Sequence, residues 1–254
     1  MEFINILILS LIQGITEFLP ISSSSHLILV PLLTDFSDQG ILFDIALHTG
    51  SLLAILAYFR KEIKEIVNFS QTGKGYIKLI ILASIPLPII GIISIDFITS
   101  NFRDVQTIAV TTIFFALVLL LADIYGKHDK NIMSLTTYGI LIIGLVQTLA
   151  LVPGVSRSGI VISTALFLNF TRSDAIKIAF LLSIPAIFMA TTYNFFTLYK
   201  SNDLNILIEH LLGISLSFLF SYVTIYFFIS TINKISFSPY IIYRIILGSF
   251  LLFI

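Results

Sequence analysis

Long apolar runs alternate with short polar breaks along the whole chain. The apolar runs fall at 3–18, 23–33, 41–59, 76–97, 105–125, 138–152, 158–170, 175–198, 204–231 and 240–254. A helix that crosses the hydrocarbon core of a bilayer needs about 20 residues. Six runs, at 41–59, 76–97, 105–125, 175–198, 204–231 and 240–254, reach or approach that length and predict about six spans. The run at 3–18 and its follower at 23–33 are each too short to cross, and so are those at 138–152 and 158–170. Each short pair meets at a break rich in Pro, Gly and Ser. Non-helical backbone at membrane depth survives only when buried in protein or lining a wet cavity. Each pair therefore predicts a re-entrant helix hairpin. Pro86, Pro88 and Pro185 predict kinks, tolerated where neighbours satisfy the freed carbonyls.

The first break reads Gln13-Gly14-Ile15-Thr16-Glu17-Phe18-Leu19-Pro20-Ile21-Ser22-Ser23-Ser24-Ser25-His26. A carboxylate, four serine hydroxyls and an imidazole are costly to place in hydrocarbon, so the stretch reads as a functional site. Packing of serines between membrane helices is the plainer alternative. The second break reads Gln147-Thr148-Leu149-Ala150-Leu151-Val152-Pro153-Gly154-Val155-Ser156-Arg157-Ser158-Gly159. With Gln13 laid on Gln147 and no gaps, Ser22 falls on Ser156 and Ser24 on Ser158. Interrupted hydrophobic segments at matching places in two halves point to a midplane site in inverted-repeat membrane proteins. The expectation is a single membrane domain over 1–254, all-α, with inverted-topology repeats at about 1–125 and 134–254.

Composition agrees with the pattern: 57% of residues are hydrophobic, 11% are charged, and the mean hydropathy is +1.04. That balance is outside the range of soluble domains and makes the bilayer a partner. A formal net charge of zero argues against nucleic acid. The absence of cysteine removes disulfides, thiolate metal sites and a cysteine nucleophile. The first residues lack a basic n-region and a small-residue cleavage site, so they read as retained structure. Basic residues orient the spans. If Arg60, Lys61, Lys64, Lys74 and Lys78 are cytoplasmic, the hairpins return Lys127, Lys130, Arg172, Lys177 and Lys234 to the same side. Only Arg103 and Lys200 fall opposite, a positive-inside bias that leaves both termini outside. Charge counting leaves open which side the pocket opens to.

Arg157 lies in the second break, set between apolar runs, and a guanidinium there needs an anionic partner. It is either half of a buried ion pair or a phosphate clamp, for which its planar fork is suited. Gly154, Ser156, Ser158 and Gly159 resemble an anion-binding nest leading into a helix N-terminus, which favours the clamp. Glu17 is a metal ligand, a general base, or the structural partner of Arg157. His26 is a general acid/base or nucleophile, or a hydrogen-bonded core histidine. Ser22 to Ser25 offer hydroxyls for phosphate or for attack. Asp44 and His48 share a helix face four residues apart, beside Thr49 and Ser51. They either join the site or mark the membrane boundary.

The two breaks at this spacing resemble the undecaprenyl-diphosphate phosphatase family, also called the bacitracin-resistance protein family. The similarity continues through Phe43-Asp44 to Ser51, the Phe180 to Pro185 segment, and Ile235 to Arg244, so it spans nearly the whole chain. It implies an integral enzyme of the bacterial plasma membrane, built from inverted repeats, with a pocket facing the exterior. Its activity would be hydrolysis of undecaprenyl diphosphate to the monophosphate and inorganic phosphate. That recycles the carrier lipid for peptidoglycan synthesis and confers bacitracin resistance. The resemblance also implies a divalent metal, Mg2+ or Ca2+. Carried across by position, Glu17 is the second acid of the motif, Ser22 and Ser23 its paired serines, His26 its histidine and Arg157 its arginine. Gln13 stands at the first acidic position and cannot ionise. Ser24-Ser25 replaces the frequent Thr-Gly, keeping a hydroxyl and losing a glycine.

These readings make Glu17, Ser23, His26 and Arg157 the catalytic candidates. Ser22, Ser24, Gly154, Ser156, Ser158 and Gly159 join Arg157 as phosphate binders. Glu17 and Asp44 are the metal candidates, with Gln13 and His48 in support. The substrate is a polyprenyl diphosphate lipid, and the oligomeric state is open, a homodimer among the arrangements. The competing class is a polyprenyl-phosphate flippase, which would need the arginine but not the Glu17/His26 pair. The acid phosphatase superfamily with membrane members needs a later histidine, and 159–170 contains none.

Overall fold

The computed structural model describes residues 2–34, 40–201 and 208–253. The described chain is helical. Its elements are α1 (Phe3–Thr16), α2 (Ser23–Leu33), α3 (Ile41–Tyr58), α4 (Arg60–Val67), α5 (Gln71–Ser84), α6 (Pro86–Asn101), α7 (Val105–Tyr125), α8 (Thr137–Gln147), α9 (Arg157–Phe167), α10 (Arg172–Ser201), α11 (Ile208–Thr231) and α12 (Ser238–Leu251). Among the described residues there is no strand, only an isolated bridge between Lys130 and Phe170.

Five stretches are long and apolar enough to cross a membrane: Ile41–Tyr58, Gln71–Asn101, Val105–Tyr125, Arg172–Thr197 and Ile208–Thr231. The chain is a multi-pass membrane protein. The sixth predicted span, 240–254, appears as α12, whose 14 residues rise about 21 Å at 1.5 Å per residue. That is short of a hydrocarbon core about 30 Å thick. Pro239 near the N-terminus of α12 fits there because its missing N–H has no intrahelical partner to lose. The predicted span at 76–97 is split into α5 and α6 at Pro86, while Pro185 stays inside α10. The basic connection after α3 carries α4.

The two breaks have nearly the same geometry. Gln147 minus Gln13 gives an offset of 134, and α2 and α9, each of 11 residues, begin and end at positions related by that offset. The residue before α2, Ser22, has φ 73 and ψ 96, and the residue before α9, Ser156, has φ 67 and ψ 110. Positive φ is disfavoured for a residue with a Cβ, so its recurrence at matched serines marks a built feature. Packing follows the same offset. α1 lies on α11 and α8 on α5, while α7 and α12 pack together. The α1 and α8 contacts are close because Gly14 and Gly144 stand at them. A Cβ would reach 2.5 Å from Phe220 Cβ at the first and 2.7 Å from Ala83 Cα at the second.

An aromatic cluster fixes the first break against the long helices. Phe18, fully buried, meets Phe180 edge-on with ring centroids 5.2 Å apart. Phe180 in turn meets Phe59 at 6.2 Å and Phe228 at 6.0 Å. Edge-to-face pairs contribute about 0.5–1.5 kcal/mol beyond their buried area. Glu17 is thus presented from a wall made by Phe59 at the α3–α4 junction, Phe180 of α10 and Phe228 of α11.

Candidate active site between two loop tips

The residues linking α1 to α2 and those linking α8 to α9 form two tips that meet around a cavity of about 220 Å³. Pro20 and the Pro153-Gly154 pair end regular helix before each tip. At the second tip Ser156 caps α9, its Oγ accepting the Gly159 N–H at 3.2 Å. At the first, Ser22 Oγ turns to Ser25 at 3.0 Å and Ser24 at 3.4 Å. The tips touch directly: Ser158 Oγ donates to the Leu19 carbonyl at 2.9 Å.

The lining combines polar residues, Glu17, Ser23, His48, Ser156, Arg157 and Ser158 with Thr16, Ser22 and Ser24, and apolar ones. The apolar part comes from Leu87 of α6, Ala150 and Leu151 before the second tip, and Ala186, Ile187 and Ala190 of α10. Such a combination suits an ionic head group on an apolar chain.

Glu17 is 7% exposed and is the only carboxylate that lines the cavity among the described residues. Arg157 Nη2 donates to its Oε1 at 2.7 Å. Ser23 Oγ donates to its Oε2 at 2.6 Å, and Gln13 Nε2 donates to the same oxygen at 3.2 Å. Gln13 Nε2 is also 2.5 Å from His48 Nδ1 and 3.3 Å from Ser51 Oγ. This polar chain continues to Ser221 on α11 at 2.9 Å from Ser51. Arg157 Nη1 is buried with no hydrogen-bond partner among the described residues. A buried charged donor left open beside a cavity has an acceptor to find, and a phosphate oxygen matches it in charge and geometry.

The structure brings Glu17, Ser22, Ser23, Ser24, His48, Ser156, Arg157 and Ser158 to the cavity. Gln13 stands behind Glu17 as its neutral donor. Gly154 and Gly159 shape the second tip without lining the cavity. Asp44 lies a turn before His48 on α3 and does not line it, so Glu17 and Asp44 are not brought together there. His26 also lies outside the lining, with Nδ1 2.7 Å from the Ser22 carbonyl and Nε2 2.6 Å from the Tyr243 hydroxyl. Arg244, given no role in the sequence reading, is fully buried behind both tips. Its signal was the one that drew attention to Arg157: a guanidinium in or between apolar runs.

Gly154 has φ +90, and a Cβ there would collide with Thr111 Oγ1 and come 2.8 Å from the Ile108 carbonyl. Thr111 Oγ1 donates to the Pro153 carbonyl at 2.7 Å, so it is not free to swing away. Gly154→Ala is expected to cost about 2–5 kcal/mol from backbone strain and overpacking together. Thermal unfolding in detergent, where a loss under 1 kcal/mol would show that the tip adapts, checks it.

Residues 6–250 match the family described as bacitracin resistance protein BacA. The undecaprenyl-diphosphatase of Thioalkalivibrio sulfidiphilus is 43% identical over 264 residues, covering 100% of this chain and 99% of that protein. The undecaprenyl-diphosphatase of Pelagibacter ubique is 46% identical over 257 residues, covering 100% and 97%. Undecaprenyl-diphosphatase 1 of Pseudoalteromonas translucida is 44% identical over 257 residues, covering 98% and 97%. With the family match and these identities running end to end, the chain belongs to the bacitracin resistance protein BacA family.

Proposed function

We propose that this protein is an undecaprenyl-diphosphatase of the bacterial plasma membrane, recycling the carrier lipid for peptidoglycan synthesis and conferring bacitracin resistance. The observation that carries the reading is the array of Ser23, Glu17 and Arg157. A hydroxyl sits 2.6 Å from a carboxylate, and the carboxylate is held by a guanidinium with one nitrogen unpartnered among the described residues. A nucleophile within hydrogen-bond reach of a base that is itself oriented by a third group is the arrangement covalent catalysis needs.

Arg157 and the hydroxyls of Ser156 and Ser158 receive the terminal phosphate, and the apolar part of the lining takes the start of the prenyl chain. Ser23 Oγ attacks the terminal phosphorus while Glu17 takes its proton. The bridging P–O bond breaks and undecaprenyl phosphate leaves. Water then attacks the phosphoserine, releasing inorganic phosphate and restoring Ser23. The sum is one water consumed for one anhydride bond broken.

A divalent cation fits this site only together with substrate. Among the described residues no group of three or more His, Cys, Asp or Glu side chains is placed to hold a metal. Mg2+ is often bound through one or two carboxylates plus substrate phosphates, and Glu17 would supply the protein's share. When bound, the metal would offset charge developing on the phosphate oxygens.

The α1–α2 and α8–α9 pairs serve as re-entrant hairpins of inverted repeats at about 1–125 and 134–254. The matched helix limits and the matched backbone of Ser22 and Ser156 support this. In this arrangement α12, short enough to need local thinning of the bilayer, makes the sixth crossing. The positive-inside bias supports termini outside, and the family resemblance supports a pocket open to the exterior.

Purified protein in detergent, given a prenyl diphosphate with Mg2+ or Ca2+, is expected to release inorganic phosphate and to stop when the metal is chelated. Folded protein that releases none under any metal condition would sink the enzyme reading.

A further inference from the structure

Arg244 of α12 makes a pattern that neither substrate binding nor ion pairing explains. It is 0% exposed, and no carboxylate pairs with it among the described residues. Nη1 donates to the Pro20 carbonyl at 3.1 Å and Nη2 to the Gly154 carbonyl at 2.8 Å, while Nη2 also reaches the Val155 carbonyl at 3.2 Å. Nε donates to the Thr112 carbonyl of α7 at 3.2 Å. Pro20 and Gly154 are equivalent under the offset of 134 (154 minus 20). One planar fork therefore joins the same carbonyl of both tips, and a rigid fork with several donors is what such bridging needs.

The residue before it works on the first tip by another route. The Tyr243 ring stacks on the His26 ring with centroids 5.7 Å apart, and its hydroxyl meets His26 Nε2. The other ring nitrogen, Nδ1, meets the Ser22 carbonyl. A carbonyl only accepts, so Nδ1 carries the proton, and in the neutral ring Nε2 accepts from Tyr243. Both nitrogens are engaged, and the ring lies outside the cavity. Ser22 is the residue with φ 73, and it precedes Ser23 directly. Its carbonyl is thus held at the place where the backbone departs from ordinary helix.

We propose that Tyr243 and Arg244, with His26 as relay, form a brace that fixes the two tips in register. All three are positioning residues for the hydrolysis, and none touches the phosphate. The catalytic half of the proposal rests on the phosphatase reading above; the structural half does not.

Two measurements test it. Amide hydrogen exchange of peptides covering 18–26 and 152–160 reads the tips without turnover. Arg244→Lys, which loses the fork, is expected to speed exchange at least fivefold in both tips together. No change, or change in one tip only, overturns the brace even if the wild type proves inactive. The second measurement uses kinetics. His26→Asn keeps a donor near the position of Nδ1 for the Ser22 carbonyl but cannot act as an acid or base, whereas His26→Gln moves its donor away. His26→Asn is expected to stay within about threefold of wild-type kcat. His26→Gln is expected to fall about tenfold or more with KM held, the scale of one buried hydrogen bond lost. A folded His26→Asn protein slowed 100-fold, with a limb of its pH profile removed, would return His26 to the reacting groups. If neither His26 variant folds, Tyr243→Phe decides: kcat lowered about threefold with KM unchanged supports the relay, and unchanged kcat overturns it. An inactive wild type removes the phosphatase reading and leaves the exchange result to stand alone.

Discussion

Arg157→Ala is expected to yield a folded protein whose turnover is reduced roughly 10²- to 10⁴-fold, the loss of two charge-assisted hydrogen bonds at about 1.5–3 kcal/mol each. One bond already exists, to Glu17, and the other is prefigured by the unpartnered Nη1. Arg157→Lys keeps the charge and loses the fork, so it is expected to fall about 10- to 150-fold. Stability separates clamp from strut. If the Arg157–Glu17 pair existed only to hold the fold, removing the arginine would strand a buried carboxylate at about 3–5 kcal/mol. Here Glu17 retains Ser23 and Gln13 as donors and borders a cavity large enough for water. The melting temperature of the alanine variant should therefore move little. A markedly unstable Arg157→Ala protein, restored by adding Glu17→Gln, would overturn the clamp.

Ser23→Ala and Glu17→Gln should each reduce turnover by roughly 10³-fold or more, the first by removing the nucleophile and the second by removing its base. The double variant should be little worse than the slower single one, because residues that act as a unit are not additive. Purified protein assayed for phosphate release under single-turnover conditions gives the comparison. Losses that multiply would mean that the two residues serve separate steps. A Ser23→Ala protein within tenfold of wild type would transfer the attack to water, with Glu17 as its base.

Much of this site was legible from the chain because polar groups in hydrocarbon advertise themselves. Glu17, Ser23 and Arg157 stood out as charged or hydroxylic residues in or between apolar runs, and they meet in the cavity. The matched breaks were visible too, down to the serines whose backbone recurs. The fork of Arg157 could be read either as ion pair or as clamp, and the structure gives it a carboxylate on one nitrogen and no partner on another among the described residues. Asp44 and His48 share a helix face by their i, i+4 relation, but that relation does not say how far along the helix the cavity reaches: His48 lines it and Asp44, a turn earlier, does not. The run at 240–254 and α12 are of nearly equal length, 15 and 14 residues, and an apolar run that short does not by itself say whether it crosses. Arg244 carried a signal but no readable partner. Its acceptors are backbone carbonyls, which every residue possesses, so nothing in the side-chain sequence could name them.

The direction of the hydrogen bonds along the chain has a consequence for biogenesis. Synthesis proceeds from the N-terminus, and earlier segments fold first. Arg157 follows its acceptor Glu17 by 140 positions. Arg244 follows Pro20, Thr112, Gly154 and Val155 alike. Each membrane-buried guanidinium thus leaves the ribosome after the oxygens that will receive it. An unpartnered arginine at the bilayer centre opposes insertion by about 2.5–3.5 kcal/mol on translocon scales. The first half of the chain supplies the acceptor for Arg157, and α12 closes over acceptors from both halves.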